Sequence, residues 1–445
     1  MKGMNGALVL MVGVCGASCG KTSHLDREAL LDPRTCQECH PDHYREWSGS
    51  MHAYAAKDPL FLAMNARGQR ETDGALGDFC IQCHAPMAVL EGATTDGLNI
   101  ETLPESLQGI TCYFCHSAKA VDEEHNNGLV IADDNIMRGS FSDPIDNDAH
   151  ASAWSPLHDR TRTESAALCG SCHDIVTPNG VELERTYLEW KGSVYSHEDA
   201  SVRLTCGQCH MDGRDGVAAN VPGAPGRRVH SHMWPGVDLA LHEDFPEKSA
   251  QRDAVESLLD TTLGATLCVY PDAAGALIEV TLENITAGHD WPSGAAQDRR
   301  AWLELSASGE GQSLLAFGGD APDNPIEYQD DLGWVLRDWL YDEQGESTHM
   351  FWETASIESA LLPPPTTSDP SDPAYYDTHV TRTFVVDSMP DHVDMAVHLR
   401  AVGYDVIDDL IASGDLDSAW RDAIPTYDMA STRLEWNEGD PVCVP

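Results

Sequence analysis

Apolar and polar residues alternate along several stretches toward the C-terminal end of the chain. Residues 276–283 and 392–399 follow the alternation throughout, and residues 301–305 and 382–386 follow it over a shorter length. Strict alternation is typical of strands that bury one face. Glycine, proline and aspartate separate these stretches, so the pattern predicts an all-β, sandwich-like domain over residues 264–445.

Helical patterns are short and widely spaced. They predict helices at residues 42–47, 182–191 and 405–412. A further helix at residues 251–259 lies within the segment 246–263, and we interpret it as the link between the β-domain and the first half of the chain.

Ten of the 14 cysteines lie in five copies of Cys-x-x-Cys-His. Two thiols three residues apart reach the two vinyl groups of one porphyrin, and the next histidine is placed to bind the iron, so the pattern is the attachment signature of haem c. Numbered 1–5 in chain order, the sites are Cys36, Cys39 and His40; Cys80, Cys83 and His84; Cys112, Cys115 and His116; Cys169, Cys172 and His173; and Cys206, Cys209 and His210. A structural zinc site or a thioredoxin-like dithiol does not account for a histidine after the second cysteine in every copy. The sequence therefore predicts five covalent haem c groups.

Haem burial changes the expected architecture of the first half of the chain. A porphyrin takes the place of much of a side-chain core, so such a domain can be sparse in regular structure. We expect residues 36–245 to form an α-rich, loop-rich pentahaem domain whose short helices carry the motifs, preceded by a linker at residues 20–35.

One short segment occurs twice in this first half. Residues 44–52 match residues 187–195, with Tyr, Glu, Trp, Gly and Ser recurring at the same places. The first copy follows a haem motif and the second precedes one. The match indicates kinship or convergent haem packing, and a coincidence between two amphipathic helices is the alternative.

Fifteen of the 20 histidines remain after the five proximal ones are set aside. An iron with a second histidine on its distal side is low-spin and suits electron transfer, whereas an iron without one can bind a small molecule. The candidate distal ligands are His52, His158, His150, His232, His125 and His289. His289 lies in a turn bounded by glycine and proline, where it could instead bond to the turn backbone. Five others, His24, His43, His379, His392 and His398, are expected to lie at the surface.

Charge limits the choice of partners. The chain has 27 basic and 73 acidic residues, a formal net charge of -46. Such a charge repels nucleic acid and suits docking of a basic redox protein, although a merely solvated acidic surface gives the same composition. Cys268 and Cys443 lie outside the haem motifs and could form a disulfide in an oxidising compartment, or remain two buried thiols.

The N-terminus resembles an export signal. An apolar run at residues 7–14 is too short to span a bilayer, and small residues follow it. Residues 1–19 are therefore predicted to be a signal peptide, either cleaved or processed as a lipoprotein signal with lipid on Cys19. Covalent haem attachment also favours export, so we expect the protein in the periplasm or at the cell surface.

The segments around the haem motifs resemble the cytochrome c554 family of multihaem cytochromes. The resembling stretches are residues 47–52, 80–86, 109–112, 168–174, 186–193 and 206–211, and residues 288–294 and 299–303 resemble a C-terminal module found behind such domains. The resemblance implies parallel and perpendicular haem pairs, mostly with two histidines per iron, and electron shuttling. That family's small member is tetrahaem, however, and the related hydroxylamine oxidoreductases carry eight haems, so their activity does not carry over. Pentahaem nitrite reductases usually replace one proximal histidine by lysine, and no motif here does so.

Three functions fit these observations. The leading hypothesis is an exported electron carrier that exchanges electrons with donor and acceptor proteins. The alternative is a redox enzyme that acts on a small nitrogen or sulfur compound at one haem with an open distal side. A subunit of a larger redox complex, with the β-domain as its docking module, is compatible with the first.

Overall fold

The computed structural model describes residues 24–197, 201–329 and 333–445. The predicted signal peptide, with Cys19, lies outside the described residues. The α-helices of the described part are α1 (Arg27–Leu31), α2 (Pro41–Ser48), α3 (Met51–Tyr54), α4 (Pro59–Glu71), α5 (Ile81–His84), α6 (Pro86–Leu90), α7 (Cys112–Ser117), α8 (Glu164–Gly170), α9 (Thr186–Gly192), α10 (Cys206–His210), α11 (Lys248–Leu259) and α12 (Tyr404–Ala412). Among these residues, no helix combines the length and apolar character needed to cross a membrane.

Short helices dominate the first half because capping residues and prolines delimit them. Pro41 occupies the first turn of α2, where its missing N–H is not needed, and the helix ends before Gly49. The side chain of Ser50 then caps α3 by accepting a hydrogen bond from the N–H of Ala53. The predicted helix at residues 42–47 is confirmed by α2.

The predicted helix at residues 182–191 is wrong at its start. Glu182–Glu184 is a strand that pairs with Ile175–Val176, and only α9, from Thr186, is helical. Pairing with a neighbouring strand overrides the local helical pattern.

Small sheets also occur among these helices, which the sequence pattern did not predict. Four two-stranded sheets pair β1 with β2, β3 with β4, β5 with β6 and β7 with β8. These strands are β1 (Ala118–Glu123), β2 (Gly128–Ile131), β3 (Ile136–Gly139), β4 (Ala151–Trp154), β5 (Ile175–Val176), β6 (Glu182–Glu184), β7 (Gly213–Val217) and β8 (Gly226–His230).

The remaining strands build the C-terminal half. They are β9 (Leu263–Asp272), β10 (Gly275–Asn284), β11 (Arg300–Gly309), β12 (Gln312–Phe317), β13 (Val335–Leu336), β14 (Asp338–Tyr341), β15 (Ser347–Thr348), β16 (Ser356–Ser359), β17 (His379–Val386), β18 (His392–Arg400), β19 (Thr426–Asp428), β20 (Leu434–Asn437) and β21 (Cys443–Val444). One sheet has the order β17-β10-β9-β21, and the second has the order β12-β11-β18-β19, with β13 beside β11 and β20 beside β18. A third, small sheet has the order β15-β14-β16.

The two larger sheets share one hydrophobic core. Ile278 and Val280 of β10 lie in the same buried cluster as Leu303 of β11 and Val397 of β18. Buried and half-buried residues alternate along the whole of β10, as the sequence pattern predicts. This layout is that of two sheets packed face to face.

A disulfide joins Cys268 in β9 to Cys443 in β21. The predicted pairing is thus confirmed, and the alternative of two free thiols is excluded. The bond fixes the last strand to the edge of its sheet.

The two halves of the chain contact each other. Ala63 of α4 and Leu241 from the haem half pack in one cluster with Ile407 and Leu410 of α12. This contact matters for the sites below, because residues of the β-domain reach toward the haem motifs.

Candidate haem sites

Short helices of the first half carry part or all of four motifs, whereas the motif of site 1 lies mainly in the turn before α2. The histidines of sites 2, 3 and 5 lie in α5, α7 and α10, and the first cysteine of site 4 lies in α8. Thr111 and Thr205 stand directly before the motifs of sites 3 and 5 and cap their helices. The caps fix where each motif begins.

Four of the five proximal histidines make the same type of hydrogen bond, from Nδ1 to a backbone carbonyl oxygen. The Nδ1 atoms of His40, His84 and His210 lie 2.6, 3.1 and 2.7 Å from the carbonyl oxygens of Ala218, Ala55 and Pro235, and His116 bonds in the same way to Arg138. A histidine that donates from Nδ1 leaves Nε2 free to bind a metal. The described residues therefore fit the proximal side of haem c.

A second imidazole faces the proximal one at three sites. Ring centres lie 6.2 Å apart for His40 and His150, and 6.2 Å for His173 and His52. At site 5 the centres of His210 and His289 lie 6.4 Å apart. Two imidazoles that each bind one iron at about 2 Å have ring centres about 6 Å apart, so these separations match the span of a shared iron.

Site 3 has two candidate partners. The ring of His158 lies 5.5 Å from that of His116, and the ring of His232 lies 6.4 Å from it. The Nε2 atom of His158 is 2.8 Å from the carbonyl oxygen of Cys115 and is therefore engaged. His232 instead uses Nδ1, 3.0 Å from the carbonyl oxygen of His230, which leaves its Nε2 free. The Nδ1 atom of His158 is buried without a hydrogen-bond partner, so hydrogen bonding alone does not decide between the two. The 6.4 Å separation of His232 matches those at the other sites, whereas 5.5 Å is shorter, so the geometry favours His232.

His289 combines both of its predicted roles. Its Nδ1 lies 2.8 Å from the carbonyl oxygen of Asp290 in the turn, and its ring faces His210 across the contact between the two halves of the chain. The bond to the turn orients the ring, so it supports the facing position.

Site 2 differs from the others. The ring that lies against His84 is Phe61, with centres 4.0 Å apart and planes 5° apart. His125, the remaining candidate ligand, lies in the turn between β1 and β2 near Asp174. In the part of the chain that the structure describes, no imidazole faces His84 as in the other four sites.

Burial keeps the facing imidazoles neutral. It lowers the pKa of His52 to about 3 and the pKa values of His173 and His289 to about 4. A neutral imidazole is the form that binds iron.

Two side chains near these rings were not recognised from the sequence. Trp234 contacts both His52 and His232, with ring centres 4.6 and 4.9 Å away. His43 was expected at the surface, but it is half-buried with its ring 4.8 Å from that of His232. No local pattern marks either residue, because only the fold brings them to the ligands.

Neighbouring cysteines define the order of the sites. The thiols of Cys36 and Cys112 lie next to each other, as do those of Cys83 and Cys172 and those of Cys169 and Cys206. Cys115 of site 3 is an electrostatic neighbour of both cysteines of site 4. Sites 1, 3, 4 and 5 therefore form a row, and site 2 branches off at site 4.

The paired thiols, the oriented proximal rings and the facing imidazoles are together the features of a multihaem cytochrome c. Residues 35–117, which contain the first three motifs, match the family model of cytochrome c554 and c-prime. This match confirms the predicted resemblance over that segment. No curated protein matches the sequence.

The fold is similar to that of a penta-heme cytochrome c552 from Thermochromatium tepidum. The two structures align with a TM-score of 0.60 and 19% sequence identity over 90% of this chain and 97% of the other. At this identity the likeness establishes the fold. It extends over both the haem-motif half and most of the β-domain.

Proposed function

We propose that the protein is a pentahaem electron carrier in which four of the five irons are held between two histidines. The observation that carries this proposal is the set of facing imidazole pairs at sites 1, 3, 4 and 5, with ring centres separated by 6.2 to 6.4 Å. The proposed distal ligands are His150, His232, His52 and His289, respectively. Haem c, when bound, supplies a one-electron couple at each iron.

The row of sites supports a path through the molecule. Cysteines of sites 1 and 3, and of sites 4 and 5, lie next to each other, and sites 3 and 4 are electrostatic neighbours. Cys209 of site 5 is exposed, which gives that end of the row a contact with solvent. We propose that electrons enter or leave at site 5 and pass along this row.

The acidic composition supports a basic partner. A formal net charge of -46 accelerates encounter with a positively charged protein at low ionic strength. We further propose that the protein works outside the cytoplasm, in the periplasm or at the cell surface, and that lipid on Cys19 anchors it if the signal is of the lipoprotein type.

A second function is favoured at site 2. Phe61 packs on the face of the His84 ring, and no imidazole among the described residues faces His84 at the separation seen at the other sites. This supports an iron without a sixth ligand from the described part of the chain. Site 2 also lies at the side of the row, beside site 4, where electrons can be supplied without interrupting the path. This arrangement supports binding of a small nitrogen or sulfur compound at site 2.

The carrier function is tested by a reductive titration followed by rapid mixing. Complete reduction is expected to take five electrons per chain. Added salt is expected to slow the reaction of the reduced protein with a cationic acceptor, such as hexaammineruthenium, and to speed its reaction with anionic ferricyanide, because salt screens attraction in the first case and repulsion in the second. An uptake of fewer than five electrons, or the same salt dependence with both acceptors, contradicts the proposal.

The second function is tested with nitrite, hydroxylamine and sulfite added to the oxidised protein. A spectral change that involves one haem in five supports an open site 2. If none of the three compounds changes the spectrum, the second function is wrong and only the carrier function remains.

A further inference from the structure

The repeated segment occupies equivalent positions in the structure. Residues 44–52 and 187–195 both contain a helix that starts on the backbone of a proximal histidine. The N–H of Tyr44 donates to the carbonyl of His40 over 2.9 Å, and the N–H of Tyr187 donates to the carbonyl of His173 over 3.2 Å. In the second copy, strands β5 and β6 are inserted between the histidine and the helix, so the contact is restored by folding and not by sequence proximity.

The tryptophan of each copy reaches the next haem motif along the row. Trp47 donates its indole N–H to the carbonyl of Ile110 over 2.8 Å, and Ile110 lies two residues before Cys112. Trp190 donates to the carbonyl of Leu204 over 2.8 Å, and Leu204 lies two residues before Cys206. Each tryptophan therefore fixes the backbone that leads into the motif of site 3 or site 5.

Internal packing of the two copies is similar, although the ring planes are 46° apart in the first copy and 15° apart in the second. The tyrosine and tryptophan rings have centres 5.7 Å apart in both copies. Ser50 and Ser193 donate to the carbonyls of Trp47 and Trp190 over 2.7 and 2.8 Å. A coincidence between amphipathic helices does not account for matching long-range contacts.

The glutamate of each copy contacts the backbone next to the facing imidazole. This imidazole belongs to the same site, 3 or 5, that the tryptophan of the copy reaches. Glu46 accepts a hydrogen bond of 3.0 Å from the N–H of His232, whose ring faces His116 of site 3. Glu189 accepts one of 3.1 Å from the N–H of Asp290, next to His289, whose ring faces His210 of site 5. Glu46 is paired with Arg214, and a hydrogen bond to a charged acceptor is stronger than one between neutral groups.

We propose that each copy is a ligand clamp, in which the glutamate holds the backbone of the distal histidine and the tryptophan holds the backbone before the proximal motif. Glu46 and Trp47 form the clamp of site 3, and Glu189 and Trp190 form the clamp of site 5. All four are positioning residues, and none touches the iron. The proposal rests on the proposed ligation of sites 3 and 5 by His232 and His289.

The two clamps differ in the groups that lie beside the glutamate side chain. Glu46 is buried, with 6% of its surface exposed, and pairs with Arg214 over 2.6 Å. Glu189 makes no ion pair with a described residue, and burial raises its pKa to about 8. It accepts a second hydrogen bond of 2.6 Å from the hydroxyl of Ser293. The site 5 clamp therefore joins the haem half to the turn of the β-domain.

Glutamate variants of the full-length holoprotein test this proposal. Glu46→Leu removes the acceptor, whereas Glu46→Gln keeps a carbonyl oxygen that can still accept from the N–H of His232. Cyanide competes with a distal imidazole for iron, so it is the probe. Loss of an outer partner weakens a metal ligand about ten- to a hundredfold, so cyanide should bind site 3 tighter by about that factor in Glu46→Leu. Glu46→Gln should stay close to the unmodified protein, and Glu189→Leu and Glu189→Gln should behave likewise at site 5.

Matched controls separate the clamp from a general change of charge. Asp42→Asn removes a carboxylate from the same helix, 3.7 Å from the same Arg214, without touching His232. Glu182→Gln removes an exposed carboxylate from the strand before α9. Both controls should leave cyanide affinity unchanged. The variants His232→Ala and His289→Ala identify which paramagnetic resonance signals belong to sites 3 and 5.

Unchanged cyanide affinity and unchanged signals in Glu46→Leu and Glu189→Leu would overturn the clamp. If a leucine variant does not accumulate with all its haem, Glu46→Asp or Glu189→Asp replaces it, because the shorter carboxylate keeps the charge but retreats from the N–H. The clamp would also be overturned if the aspartate variants had the same cyanide affinity as the glutamine variants and the unmodified protein. If instead His232→Ala and His289→Ala leave every low-spin signal in place, the proposed ligation itself is wrong.

Discussion

Phe61 lies flat against the imidazole of His84, with the two ring centres 4.0 Å apart and the planes within 5° of parallel. Phe61 belongs to α4, which begins just after the carbonyl of Ala55 that binds Nδ1 of His84. One short stretch of chain thus orients the proximal ring of site 2 in two ways. No imidazole of the described residues faces His84 from the other side of the site. The orientation of the His84 ring should therefore influence how strongly site 2 binds an added ligand.

Replacing Phe61 by leucine is expected to weaken ligand binding at site 2. Aromatic contacts contribute about 0.5–1.5 kcal/mol beyond burial, and a less firmly held His84 binds iron less well, so cyanide affinity at this site should fall about two- to tenfold. An optical titration with cyanide measures the change. Phe79→Leu is the matched control, because Phe79 lies beside site 2 but packs against Phe351. Equal effects of both substitutions would contradict a specific role of Phe61.

Substitution of the two histidines near His116 distinguishes the ligand of site 3. His232→Ala is expected to convert one low-spin haem to the high-spin form, since its ring lies at the 6.4 Å separation of a shared iron and its Nε2 is not engaged. His158→Ala is expected to leave the spin states unchanged, because His158 is bonded to the carbonyl of Cys115. Paramagnetic resonance of the oxidised variants makes the comparison. A high-spin signal in His158→Ala alone would reverse the assignment.

Loss of His289 is expected to show that the β-domain completes site 5. The variant His289→Ala leaves His210 without a facing ring, so one low-spin signal should be replaced by a high-spin one. His392→Ala, a partly exposed histidine on β18, is the control and should change nothing. Retention of all low-spin signals in His289→Ala would mean that the β-domain only covers the haem half.

Glu184 is expected to make stability depend on pH. Burial raises the pKa of Glu184 from 4.5 to about 7, so the folded protein holds this proton more tightly than the unfolded chain. Its contribution to stability is therefore full below about pH 4.5 and is lost as the pH rises through 7. Glu184→Gln should be more stable than the unmodified protein by about 1–3 kcal/mol at pH 8, and equal to it at pH 4.5.

Urea unfolding of the holoprotein at both pH values measures this difference. The side chain of Gln297 donates to Glu184 over 3.3 Å, and the amide oxygen of glutamine can accept the same bond. Glu182→Gln, an exposed position of the same strand, should show no pH-dependent gain. A gain for Glu184→Gln that is the same at pH 4.5 and pH 8 would exclude titration as its cause.

The sequence predicted those features that depend on residues close together in the chain. The alternation at residues 276–283 reappears as the burial pattern of β10, and the spacing of cysteines and histidines defined all five motifs. The disulfide between Cys268 and Cys443 was also within reach, because only two cysteines remained near the ends of the β-domain.

Contacts between segments that are distant in the chain could not be predicted from the sequence. Nothing local distinguishes His232 from His158 as the partner of His116, since only the folded chain sets their ring separations and hydrogen bonds. The strand at Glu182–Glu184 forms because a partner strand is present. The repeated segment was visible in the sequence, but its contacts to sites 3 and 5 depend on folding over long separations.

In the proposed carrier, four irons are held between two histidines and the fifth is not. Quantitative paramagnetic resonance of the oxidised, fully haem-loaded protein tests it most directly. Four low-spin haems and one high-spin haem per chain are expected, with the high-spin signal abolished by cyanide. Five low-spin haems would contradict the open site at His84, and fewer than four would contradict the facing pairs as ligands.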